Sequence, residues 1–227
     1  MIITVYSSKG GVGKTPIAAN ILFDNTDFYI ATNELNSGFV HISNIDDDKK
    51  ILISPEDEFQ EEVFTQGVFV KENASMVIDL SGSLAESFKS IPTALNISDV
   101  VLVPINNQVN SILQGVTTIQ SIQEYFPKLK IIVVATKLEK QGVNDIFGDD
   151  WTKSKSFKEI QAYVQENTNG DLIVLPLKYS KGYENIIREE ISIKKLSSVP
   201  FGGQAYKTPA KQFDSLYTAI GLNHESK

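Results

Sequence analysis

Short apolar runs alternate along the chain with longer stretches of mixed polarity. The runs Ile2–Tyr6, Phe28–Ala31, Ile51–Ile53, Met76–Leu80, Val100–Val103, Lys130–Ala135 and Leu172–Leu175 read as strands. Several are nearly unbroken Val, Ile and Leu, the pattern of strands covered on both faces. Between them, Pro16–Phe23, Glu58–Thr65, Leu84–Leu95, Ile112–Tyr125 and Phe157–Asn167 read as helices, and Gln212–Gly221 as a closing helix. Strands alternating with helices predict βαβ units: an α/β fold with a mainly parallel sheet and helices on both faces. Such sheets bind ligands at the carboxyl ends of their strands. Connections look short, and neither an internal repeat nor a low-complexity linker interrupts them. One domain over residues 1–227 is therefore expected.

Composition narrows the classes. With 41% hydrophobic and 22% charged residues over 227 positions, the chain is neither disordered nor collagen-like and can bury a sizeable core. Cysteine is absent, which excludes disulfides, thiolate metal sites, iron–sulfur clusters and a cysteine nucleophile. No apolar run approaches the roughly 20 residues of a membrane span. The start, Met1 to Tyr6, does not read as a signal peptide, so a cytoplasmic location is expected. The net charge of −7 is local in origin: residues 1–75 hold 12 acidic and 5 basic side chains, and the remainder 16 of each. The acids of Asp46–Asp48 and Glu56–Glu62 read as a solvated loop and helix face. Arg188 is the single arginine, so contacts to phosphate fall mainly to lysines, which act as point charges rather than forks.

The strongest chemical signal follows the first strand. Ser7-Ser8-Lys9-Gly10-Gly11-Val12-Gly13-Lys14-Thr15 stands between a strand and a helix, the context a phosphate-binding loop requires. Gly10, Gly11 and Gly13 let backbone amides turn inward without Cβ clashes. The helix start adds unpaired donors and the positive end of its dipole. Lys14 can reach β- and γ-phosphates, Thr15 can place its hydroxyl on Mg²⁺, and Pro16 sits where its missing N–H is harmless. The usual pattern places a glycine five residues before Gly13; here that position is Ser8.

Lys9 to Thr15 is a deviant Walker A motif, and the chain resembles the ParA/MinD family of P-loop ATPases, which position plasmids, chromosomes and other cargo. Ala18-Ala19-Asn20-Ile21 is similar to the family's first helix. Val77-Ile78-Asp79-Leu80 resembles its Walker B strand, with Asp79 at the Mg²⁺-associated carboxylate. Ser98 to Pro104 and Ile173 to Pro176 are similar to two later strands, and Gln114-Gly115 falls where the family has an acidic residue and glycine. The resemblance implies a P-loop NTPase fold, bound ATP with Mg²⁺ at Lys9–Pro16, and a homodimer that sandwiches ATP. Lys9 would then reach the partner's nucleotide and neutralise charge as phosphoryl transfer proceeds. Nucleotide state becomes dimer state, a switch rather than a metabolic reaction.

Departures from the family pattern carry their own expectations. Where relatives have two aspartates, this chain reads Thr32-Asn33-Glu34. Asn33 can orient a water but not accept its proton, and Glu34 could act if the loop shifts, so ATP hydrolysis should be slow at best. Thr136-Lys137-Leu138-Glu139 is similar to a guanine-reading motif, but Glu139 is too long for the guanine edge. Adenine is preferred, with contacts near Thr136 and Pro176. The stretch Lys178–Lys195 falls where the family often binds DNA non-specifically, with weak and salt-dependent affinity. Only eight residues precede the loop, so the helix-turn-helix domain of larger partition ATPases is expected to be missing. Sequence-specific reading would then need a centromere-binding, ParB-like partner. Nucleoid association would follow from DNA binding. MinD-type relatives end in an amphipathic membrane helix; the tail here, with Asp214 and Glu225, reads instead as a core-packing helix, so no membrane contact is expected. His41 and His224 are isolated and carry no assigned role. The alternatives are a MinD-like membrane positioning ATPase and a small-molecule ligase or kinase on the same fold.

Overall fold

The apolar runs assemble into one seven-stranded parallel sheet. A computed structural model describes residues 1–33, 39, 42–53, 74–81, 90–142, 147–200 and 203–222. The strands are β1 (Ile2–Tyr6), β2 (Tyr29–Thr32), β3 (Lys50–Leu52), β4 (Met76–Leu80), β5 (Val100–Ile105), β6 (Lys130–Leu138) and β7 (Ile173–Lys178). Their spatial order is β3-β2-β4-β1-β5-β6-β7. Every pairing between them is parallel. All carboxyl ends therefore share one rim, and the chain order reverses at β1, between β4 and β5. That reversal opens the crevice where such sheets hold ligands.

Seven α-helices are present among the described residues: α1 (Lys14–Asp24), α2 (Ser90–Ile97), α3 (Val109–Tyr125), α4 (Lys155–Asn167), α5 (Gly182–Glu189), α6 (Ile193–Ser197) and α7 (Lys207–Ile220). The predicted helix at 58–65 and residues 84–89 of the next lie outside the described residues. The strand side chains alternate between two cores, as a period of two requires. Ile78, Val101 and Val133 face one side, with Ile119 and Ile122 of α3 and Phe157 and Ile160 of α4. Val77, Leu102 and Ile132 face the other, with Ile17 and Ile21 of α1 and Phe213, Leu216 and Ile220 of α7. Both faces are covered, which is why the strands need apolar residues at successive positions.

One buried polar network holds the loop-bearing helix to the C-terminal helices. Asn20 of α1 accepts from the Ile193 amide at 2.7 Å and donates to the Tyr217 hydroxyl at 2.8 Å. Tyr217 in turn donates to Asp24 at 2.7 Å. Full satisfaction of such a group fixes one packing arrangement rather than several. The apolar face of α7 (Ala210, Phe213, Leu216, Tyr217 and Ile220) is spent in this core. None of the described helices is long and apolar enough to cross a membrane.

Candidate functional site

The loop between β1 and α1 takes the conformation its glycines permit. Gly11 and Gly13 have φ of +73° and +99°, the left-handed region that other residues enter at a cost. A Cβ at Gly10 or Gly11 would meet only open space, so the missing side chains leave a cradle rather than a packed turn. Gly13 caps α1, whose first residues are Lys14 and Thr15. Lys14 is buried and donates to the Lys9 carbonyl at 3.3 Å, which lays its ammonium along the inside of the loop.

The sheet register brings Asp79 to the same place. Val5 and Asp79 are partners across β1 and β4. Asp79 is buried, and its carboxylate accepts from the Thr15 hydroxyl at 2.7 Å, across 64 residues of sequence. A hydroxyl facing a carboxylate beside a phosphate cradle is a donor set that suits Mg²⁺, which is commonly held by one or two carboxylates together with phosphate oxygens and water. Among the described residues no group of three or more carboxylates or imidazoles forms a cage of its own. A metal here would therefore arrive with the phosphates.

Two further contacts brace the loop. The Thr136 hydroxyl, buried at the end of β6, donates to the Val12 carbonyl at 2.7 Å. Ser8 and Thr118 of α3 share a hydrogen bond of 2.9 Å. Lys9 is partly exposed and has no ion-pair partner among the described residues.

The cleft beyond the loop has a volume of about 360 Å³. Its walls bring together Gly10, Gly11, Gly13, Lys14, Thr15 and Pro16 with Thr136. Leu177, rather than its neighbour Pro176, lines it. Lys137, Tyr179, Ser180 and Tyr183 line it as well, and sequence reasoning did not assign them to a nucleotide. Lys137 has φ of +52° at an irregularity in the β6–β7 register, an uncommon conformation for a residue with a side chain. Tyr179, Ser180 and Tyr183 immediately follow the carboxyl end of β7, and that position was the available signal.

Asn33 stands at the end of β2, where Thr32 and Asp79 are in register. Its amide donates to the Ser81 carbonyl at 2.7 Å and its oxygen accepts from the Ser81 amide at 2.8 Å. Both ends of the carboxamide are thus occupied with backbone. Glu34 lies outside the described residues, as do His41 and His224.

Four of the five cations of Lys178–Lys195 are engaged locally. Lys178 lies over the Trp151 ring at 5.5 Å, Arg188 pairs with Glu189 at 2.8 Å and Lys194 with Asp214 at 3.4 Å. Lys195 donates to the Phe23 carbonyl in the last turn of α1 at 3.2 Å.

No protein-family model and no curated protein matches the sequence. Solved structures do match in fold. The ATP complex of a Cyanothece McdA variant superposes with a TM-score of 0.66 at 16% identity, covering 100% of this chain and 98% of that one. The MinC:MinD cell division complex of Aquifex aeolicus gives 0.63 at 15%, over 94% and 96%. A plasmid partition protein of Borrelia burgdorferi bound to AMPPNP gives 0.58 at 17%, over 95% and 98%. The chain has the α/β P-loop fold of the ParA/MinD deviant Walker A ATPases, and it carries a lysine–glycine loop at the corresponding reversal of the sheet.

Proposed function

We propose that the chain is a single-domain ATPase of the ParA/MinD type, working as a nucleotide-dependent dimerisation switch that positions a cargo such as a plasmid or chromosome. The observation that carries this reading is the convergence of the glycine cradle, the inward Lys14 and the Thr15–Asp79 pair, 2.7 Å apart, at one point on the rim. Three kinds of chemistry are needed to hold Mg-ATP there, namely backbone donors, a cation and an oxygen pair for the metal, and all three are in place. Bound Mg²⁺ would supply charge neutralisation on the phosphates. Lys14 would hold the phosphates within one protomer, and Lys9 would extend toward the nucleotide of a second copy.

Hydrolysis in this reading is slow. Asn33 cannot take a proton from water, and both ends of its amide are held by Ser81. Phosphoryl transfer depends mostly on positioning and charge, so turnover need not vanish without that base. Solved folds with plasmid partition and MinD names support the cargo-positioning class. A ParB-like partner and weak, non-specific DNA binding complete the proposal. The local pairing of Arg188 and Lys194 is no obstacle, because exposed ion pairs are worth little and yield to phosphates. The test is light scattering with Mg-ATP, Mg-ADP and no nucleotide. A doubling of mass with ATP alone, absent in Lys14→Ala, is expected; an unchanged mass in every condition would reject the switch.

A further inference from the structure

The cleft has two walls of different chemistry. The loop wall offers amides and a cation, which suit phosphate. The wall built by the end of β7 and the start of α5 offers Leu177, Tyr179, Ser180 and Tyr183, an apolar and aromatic surface suited to a flat base and its sugar. Tyr183 stands apart within that wall. Its ring meets Phe213 edge-on at 6.3 Å, and its hydroxyl is covered with no hydrogen-bond partner among the described residues. Buried hydroxyls in native proteins are nearly always satisfied, and an exception calls for a reason. Packing supplies none, since phenylalanine would fill the same space without a polar atom to strand. Burial also pushes the pKa of the hydroxyl upward, so it keeps its proton and can both donate and accept.

We infer that Tyr183 is a specificity-determining residue for the nucleoside part of the ligand, its side chain turning so that the hydroxyl bonds the base or sugar when nucleotide enters. The inference rests on the nucleotide reading above and extends it from the phosphate tail to the other end of the molecule. The hydroxyl lies behind the wall, and a bound nucleoside would supply its partner. Tyr183 stands in the first turn of α5.

The test is calorimetric titration of wild type and Tyr183→Phe with Mg-ATP and, separately, with inorganic tripolyphosphate, together with melting of both proteins without ligand. The expected results are about a fivefold weaker ATP affinity in Tyr183→Phe, unchanged tripolyphosphate affinity, and an unliganded melting temperature equal to or above wild type. Equal ATP affinity in the two proteins would overturn the inference. So would a parallel loss of tripolyphosphate affinity, which would place the effect in the loop. A lower melting temperature of the free variant would also overturn it, because the hydroxyl would then already have a partner such as a trapped water. Failure of the wild-type chain to bind ATP at all would overturn the nucleotide reading itself.

Discussion

The two ends of the cleft are built differently. The phosphate end is contiguous in sequence from Lys9 to Pro16, needs one distant residue, Asp79, and is closed by hydrogen bonds already in place. The nucleoside end is collected from β6, β7 and α5, and it contains a positive-φ lysine and a stranded tyrosine hydroxyl. On the proposed reading, the first is prearranged for its ligand, and the second holds unfavourable features that a ligand would relieve. Preorganisation of charge and donors favours tight capture of phosphates, whereas local strain is tolerated where the surrounding structure over-determines it.

The largest expected effect falls on the phosphate end. Lys14→Ala removes the one cation buried inside the loop and is expected to weaken Mg-ATP binding about 100-fold or more, with the free fold retained. Fluorescence or calorimetric titration measures the first, and circular dichroism the second. Next comes the brace between the ends. Thr136→Val deletes the bond to the Val12 carbonyl and is expected to cost about 1–2 kcal/mol of stability in urea unfolding, with a several-fold loss of ATP affinity. A loss of affinity with no loss of stability would mean that Thr136 contacts the ligand rather than bracing the loop.

Lys137→Gly probes the strained end. Relief of its positive φ is expected to raise stability by about 0.5–1 kcal/mol, while nucleotide affinity falls. A variant that is less stable would show that the conformation at Lys137 is not under strain. The smallest effect belongs to the far end of α5. Glu190 accepts from the Ser43 amide at 2.6 Å and the Asn44 amide at 2.7 Å, and bonding by the Ser43 amide lowers its pKa below the ordinary 4.5, outweighing the opposing effect of desolvation. A lowered carboxylate pKa stabilises the fold fully above the unfolded value and loses that contribution as pH falls through the folded one. Glu190→Gln should therefore melt slightly below wild type near neutral pH, and the gap should close in acid. A gap independent of pH would remove the carboxylate from the account.

The legibility of these regions in the sequence follows the same division. All seven strands showed as apolar runs, and in the five central ones burial on both faces leaves no polar alternation to confuse them. The carboxyl ends of two strands near the site were cut short: β6 runs on through Thr136 and Lys137 to Leu138, and β7 through Lys178, because polar residues begin before the ladder ends. Helices α5 and α6 were overlooked. Their few buried residues, Ile186 and Ile193, sit among charges, and the segment was weighed for its cations instead of its period. The glycine loop between β1 and α1 could be placed directly because every residue of it is adjacent in the chain. Tyr179, Ser180 and Tyr183 were not assigned although they follow the carboxyl end of β7, because that segment was weighed for its cations. Pro176 does not line the cleft, whereas its neighbour Leu177 does, because strand alternation turns Leu177 toward it.

The central claim is that the cradle from Lys9 to Thr15, with Asp79, holds a triphosphate and its metal. Calorimetric titration of the wild-type chain with ATP, in the presence and absence of Mg²⁺, tests it most directly. Saturable binding of one ATP per chain, strengthened by Mg²⁺ and lost in Lys14→Ala, is the predicted result; no measurable binding with Mg²⁺ present would contradict it.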